Sequence, residues 1–179
     1  MATPLVLITG GVRSGKSRYA ETLASAFTRV CYLATAWPGD TEMEERIRHH
    51  RCGRPEHWQT VEEQRDLAGI VENITDVDCL LVDCLGMWVT NLLCGEQTAD
   101  VENSLAHLLR AVESFPGAVI MVSNEVGWGL VPENKLARQF RDMLGWVNQA
   151  VAQAADEVVL LVAGCPLPVK GAGGKKHGG

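Results

Sequence analysis

The sequence has no paired cysteines, no apolar stretch of membrane-spanning length and no excess of positive charge. Its six cysteines, at 31, 52, 79, 84, 94 and 165, include no C-x-x-C pair and no cysteine/histidine cluster with zinc-ligand spacing. That spacing argues against a structural zinc site. Cys31, Cys79 and Cys84 lie in or beside apolar runs, so they read as free buried thiols in a reducing compartment. The first apolar run stops at Gly10, too early for a secretory leader. With no segment approaching bilayer length either, the expected setting is the cytoplasm, without stable membrane insertion. The formal net charge is -6 and the pI about 5.3, so bulk charge gives no drive toward nucleic acid. An anionic ligand would have to be drawn by local charge and oriented amides. Internal repeats and an interdomain linker are also missing.

What remains fits one globular domain. The chain has 179 residues and is 46% hydrophobic, enough to bury a substantial core. Residues 1–170 are read as a single nucleotide-binding domain, and the Gly/Lys-rich tail 171–179 as flexible and solvated, its His177 included. Short runs rich in Val, Ile and Leu recur at Leu5 to Ile8, Val30 to Ala34, Cys79 to Leu85, Ala118 to Ser123 and Val158 to Ala163. Such runs are what strands buried on both faces of a parallel sheet look like. Helical patterns fill the gaps, at about 15–27, 41–52, 62–74, 87–94, 98–114 and 134–155. In the fifth of these, Val101, Leu105, Leu108, Leu109 and Val112 keep helical spacing until Pro116-Gly117. The alternation predicts an α/β fold with a mainly parallel central sheet flanked by helices.

Gly10-Gly11-Val12-Arg13-Ser14-Gly15-Lys16-Ser17 matches G-x-x-x-x-G-K-[ST] and sits between a predicted strand and a predicted helix. Glycines allow the tight turn that aims several N–H groups at phosphate oxygens, and the helix N-terminus adds positive potential. Lys16 is expected to reach the β- and γ-phosphates, and the Ser17 hydroxyl to ligate Mg²⁺. A carboxylate at the end of a neighbouring buried strand should complete the metal shell, and Asp83, after Cys79-Leu80-Leu81-Val82, supplies it.

Glu42 to His50 reads as a short helix with its acids early, as the dipole prefers. At about 100° per residue, Met43, Ile47 and His50 share one face. His49 falls toward Glu42, Glu45 and Arg46, with Glu45 able to orient its ring. His49 is thus the candidate for exposed chemistry and His50 for packing, although a histidine pair of this kind is by itself more often surface decoration. The loop from Gly53 to Trp58 offers a cation and an aromatic to a ligand, or equally a Pro-fixed connection anchored by its tryptophan. Asn124-Glu125 and Gly127-Trp128-Gly129 either line a site at a strand's carboxyl end or form a glycine turn with Trp128 as packing.

Together these strings resemble the bifunctional adenosylcobinamide kinase/adenosylcobinamide-phosphate guanylyltransferases of cobalamin biosynthesis, over about Leu7 to Gly164. The carriers are the phosphate-loop string, Tyr32-Leu33-Ala34-Thr35, Arg46 to His50, Gly53 to Trp58, Val89 to Leu93 and Ser123 to Asn134. The resemblance implies a RecA-like P-loop NTPase fold and a homotrimer. It implies His49 as the guanylylated residue, with Lys16 at the phosphates. It implies nucleotide contacts at Gly10 to Ser17, at Ala34, Thr35 and Ala36, at His50, Arg51, Cys52 and Gly53, and at Glu62 and Asp83. Ala36 stands where compared members carry a hydroxyl residue, and Asp83 where some carry Glu. The implied substrates are ATP, GTP, adenosylcobinamide and its phosphate, with Mg²⁺ as cofactor. Two other classes remain open to a phosphate loop. One is a simple small-molecule kinase with structural histidines; the other is a nucleic-acid-dependent NTPase, against which the short, acidic chain argues.

Overall fold

The computed structural model describes residues 4–37, 54–94 and 100–171. Among these the chain runs β1 (Leu5–Gly10), α1 (Lys16–Ala24), β2 (Val30–Ala34), β3 (Gln59–Glu62), α2 (Leu67–Asn73), β4 (Cys79–Asp83) and α3 (Leu85–Cys94). It continues through α4 (Val101–Ser114), β5 (Ala118–Val122), α5 (Lys135–Ala154), β6 (Glu157–Val162) and β7 (Cys165–Lys170). The strands form one sheet in the order β3-β2-β4-β5-β1-β6-β7. Every neighbouring pair is parallel except β6 with β7.

Strand alternation sorts the core into two layers. Leu7, Cys31, Leu33, Leu80, Val82, Val119 and Met121 face the side covered by α2, α3, α4 and α5. Ile8, Tyr32, Leu81, Ile120 and Val122 face the side where α1 supplies Ala20 and Ala24. Burial on both faces explains why these strands are apolar runs and not alternating ones. Helix starts follow side-chain capping: Asp66 caps α2, Asp100 caps α4 and Asn134 caps α5.

The structure corrects three boundaries. Residues 62–66 are not helical: Gln59–Glu62 is an edge strand paired with β2, and α2 begins only at Leu67 after the Asp66 cap. β3 is almost wholly exposed, so no apolar run announces it. β4 ends at Asp83, and α3 starts at Leu85. Residues 165–170 form a seventh strand, β7, joined to β6 through Ala163 and Gly164, both at positive φ. Pro166 and Pro168 are tolerated there because β7 is the sheet edge.

Candidate active site

The sheet register sets several of the candidate residues level with one another at one end of the strands. Ala34 lies between Glu62 of β3 and Asp83 of β4, Asp83 lies opposite Val122 of β5, and Val122 opposite Ile8 of β1. The segments beyond these residues therefore emerge side by side at the carboxyl ends of the strands, where open α/β sheets hold ligands. The Glu125 amide donates to the Gly10 carbonyl at 2.9 Å, tying the segment after β5 to the start of the phosphate loop. Asn124 is fixed behind it: Ser123 Oγ donates to Asn148 Oδ1, and Asn148 Nδ2 to the Asn124 carbonyl. Glu125 Oε1 accepts from the Gly127 amide, while Trp128 is 77% exposed and so is not core packing.

The loop has the shape its glycines permit. Gly10 has φ +150, Arg13 +55 and Gly15 +96, and Gly15 is the N-cap of α1. The Ser14 amide closes a turn onto the Gly11 carbonyl at 3.3 Å, and Ser14's own carbonyl accepts from the Gly164 amide at 2.9 Å. The β6–β7 turn thus braces the loop from outside, a contact the sequence did not announce. Lys16 is 7% exposed, and its Nζ donates to the Gly11 carbonyl at 2.6 Å. Burial lowers the Lys16 pKa, and the nearby Cys84 and Asp83 oppose that shift. The ammonium is therefore held across the mouth of the loop, where a phosphate would take over from the carbonyl as its partner. Ser17, the second residue of α1, is partly exposed.

Beside Lys16, Asp83 ends β4. Its Oδ2 accepts a 2.6 Å hydrogen bond from the Tyr32 hydroxyl. Burial and the adjacent carboxylate raise the Tyr32 pKa, so the phenol keeps its proton and donates. The Arg54 guanidinium lies 3.3 Å from the centre of the Tyr32 ring, a cation–π contact. Trp58, a few residues on, is buried in the same layer of core. The 54–58 segment is therefore anchored by its tryptophan, while its arginine reaches back to the site. Thr35 is fully buried; its hydroxyl donates to the Cys84 carbonyl at 2.7 Å and accepts from the Cys84 amide at 2.8 Å. With that hydroxyl committed, any ligand contact around 34–36 falls to the less buried Ala34 and Ala36. Burial pushes the Cys84 thiol up to about 12, and Cys31 and Cys79 to about 11 and 12, so all three are neutral at pH 7.

A family model described as cobinamide kinase / cobinamide phosphate guanyltransferase matches residues 6–169. A Pseudomonas aeruginosa protein named bifunctional adenosylcobalamin biosynthesis protein CobP is 46% identical over 167 residues, covering 92% of this chain and 96% of that protein. A Salmonella typhimurium protein named bifunctional adenosylcobalamin biosynthesis protein CobU is 43% identical, covering 93% of this chain and 99% of the relative. The chain belongs to the cobinamide kinase / cobinamide phosphate guanyltransferase family. Among solved structures, a prototypical ATPase from the type III secretion system of pathogenic bacteria superposes with TM-score 0.51 at 14% identity, over 88% of this chain and 50% of that one. That likeness shows the fold alone.

For this member of the cobinamide kinase / guanyltransferase family, the donor set fits magnesium. Among the described residues no group of three or more His, Cys, Asp or Glu could hold a metal ion. Magnesium requires no such cage, because it is held by one or two protein oxygens together with substrate phosphates and water. Ser17 Oγ and the Asp83 carboxylate are hard oxygen donors of that kind beside the phosphate loop. Glu62 is exposed at the end of β3, with β2, β4 and β5 lying between that strand and β1, from which the loop emerges. His49, His50, Arg51, Cys52 and Gly53 lie outside the described residues. No helix among the described residues is long and apolar enough to cross a membrane.

Proposed function

We propose that this chain catalyses both reactions named for its family at one phosphate loop. In the first, the terminal hydroxyl of the aminopropanol arm of adenosylcobinamide attacks the γ-phosphorus of ATP or GTP. The O–P bond forms, the bond to the β-phosphate oxygen breaks, and the nucleoside diphosphate leaves. In the second, the imidazole of His49 attacks the α-phosphorus of GTP and expels pyrophosphate. The substrate phosphate then displaces the histidine and takes GMP, giving adenosylcobinamide-GDP. Neutral imidazole is nucleophilic at pH 7, and a phosphoramidate is a good donor.

The observation that supports this reading best is the junction of the Gly10 to Ser17 loop with Asp83 at the carboxyl ends of the strands, in a chain matched to the family over residues 6–169. Lys16 and the loop amides would stabilise charge on the phosphate oxygens. Ser17 and Asp83 would hold Mg²⁺, which neutralises the charge that develops on those oxygens during transfer. Ala34 and Ala36, residues 50–53 and Glu62 would surround the nucleoside, with Glu62 toward the guanine. We place the enzyme in the cytoplasm as a homotrimer, with residues 1–170 as its single domain.

Intact-mass spectrometry after incubation with GTP and Mg²⁺ tests the covalent step. One added GMP is expected, mapping to His49 and missing from His49→Ala. The same variant should still transfer γ-phosphate to adenosylcobinamide, because that step goes directly to the substrate hydroxyl. An adduct on His50, or one that persists in His49→Ala, would overturn the assignment.

A further inference from the structure

β2 and β4 are neighbours, with Ala34 opposite Asp83. Tyr32 precedes Ala34 by two residues, so it projects from the same face of the sheet as Asp83. Its phenol spans the diagonal and donates to Asp83 Oδ2 at 2.6 Å. Among the described residues Oδ1 accepts no hydrogen bond. The Tyr32 ring is 2% exposed, packed in the core layer beneath α1, and covered on one face by the Arg54 guanidinium. Among the described residues Arg54 Nε is buried without a hydrogen-bond partner, while its guanidinium stacks on the Tyr32 ring.

A buried phenol needs an acceptor, and most cores would offer a carbonyl. Here the acceptor is the carboxylate beside the phosphate loop. A carboxylate bound through one oxygen cannot swing about its terminal torsion, which is otherwise broad. We propose that Tyr32 is a positioning residue for the metal–nucleotide complex: its hydroxyl fixes the plane of the Asp83 carboxylate and leaves Oδ1 for the metal shell, while Arg54 clamps the ring. This rests on the reading of Asp83 as the magnesium acid. Groups that orient a metal ligand from behind commonly change metal affinity by about 10–100-fold when removed.

The test is Mn²⁺ binding to the full chain, followed by electron paramagnetic resonance in the presence of saturating GDP. Native protein is compared with Tyr32→Phe, Arg54→Met and Asp83→Asn. Tyr32→Phe should bind Mn²⁺ about 10-fold more weakly or worse, yet bind GDP in EDTA as the native protein does. Its phosphoryl transfer should need more Mg²⁺ and recover when Mg²⁺ is raised. Arg54→Met, which keeps the hydroxyl but frees the ring, should shift in the same direction by less, and it carries the test if Tyr32→Phe fails to fold. Native Mn²⁺ affinity in Tyr32→Phe alongside a loss in Asp83→Asn would overturn the positioning role and leave the metal role of Asp83 standing. Native affinity in Asp83→Asn would remove both. An equal loss of Mn²⁺ and of metal-free GDP binding in Tyr32→Phe would make the tyrosine merely structural and overturn the proposal.

Discussion

Replacing Gly10 by alanine tests how tightly the phosphate loop is seated against the sheet. Gly10 closes β1 at φ +150, and a methyl group there would lie 2.5 Å from the Leu161 carbonyl oxygen and 2.9 Å from Ser14 Oγ. Leu161 is Gly10's partner in the β1–β6 register, so the nearer obstacle is the backbone of a paired strand and cannot rotate aside. Two penalties follow. Holding alanine at that φ costs roughly 1–3 kcal/mol, and forcing a methyl into a packed interior costs roughly 1–3 kcal/mol more. The expected loss is about 2–6 kcal/mol, a large part of the roughly 5–15 kcal/mol by which a domain is stable. Gly11→Ala is the control, because an added methyl there meets nothing within 4 Å; it should stay within about 0.5 kcal/mol of native. Urea unfolding followed by tryptophan fluorescence reads both variants, since Trp58 and Trp88 are buried, with protein concentration held fixed. In thermal terms each kcal/mol is worth roughly 2–4 °C at this chain length. If the two alanine variants unfold at the same urea concentration with unchanged m-values, β6 does not press on the loop and the reasoning fails.

Lys16→Met should lose both transfer activities yet unfold in no less urea than the native protein at pH 7. Burial lowers the folded-state pKa of Lys16, so below that value the charged group penalises folding, and native stability rises as pH climbs from the folded pKa toward 10.5. The variant should lack that rise, and a clear loss of stability in it would contradict the account. Asp78→Asn should weaken the fold at neutral pH, because Arg29 forks onto Asp78 with Nε at 3.1 Å and Nη2 at 2.5 Å and lowers its carboxyl pKa. The benefit is present above the ordinary carboxylate range and lost as pH falls through the folded-state value. A pH series of urea midpoints should therefore show native and variant converging in acid, and a gap that persists there would refute the assignment.

Most of the fold was legible because parallel strands covered on both faces must be apolar throughout, and five of the seven strands meet that condition. The other two sit at the edges of the sheet. β3 has one partly buried residue, Val61, and no fully buried one, so Gln59–Glu62 shows no apolar run and its end merged with the helical pattern that follows. β7 carries two prolines and is exposed along its length, which makes it look like the start of the tail. The turn before it, Ala163-Gly164, was the available signal: a glycine directly after an apolar strand permits a tight reversal. The phosphate loop was legible for a different reason, since its chemistry depends on backbone shape and so constrains eight consecutive residues.

The parts of the site that the sequence hid are those built across strands. Tyr32 and Asp83 are 51 residues apart, and so few clues connect them that Tyr32 reads as one more core residue in Val30–Ala34. Periodicity says which face a side chain occupies, but not which strand lies alongside. That information is in the sheet order, where β2 lies between β3 and β4. Once Ala34 is set opposite Asp83, the face shared by Tyr32 and the carboxylate follows from the two-residue repeat of a strand. The length of the phenol then decides the contact, because a shorter apolar side chain on that diagonal would fill the core without reaching the acid. The same register explains Thr35, whose hydroxyl is spent on the peptide of Cys84, the residue after Asp83. It thereby braces the segment that follows the acid from the neighbouring strand, as Tyr32 holds the carboxylate. Two side chains of β2 and its exit therefore grip the end of β4 at successive residues, which is the rigidity that the metal role proposed for Asp83 requires.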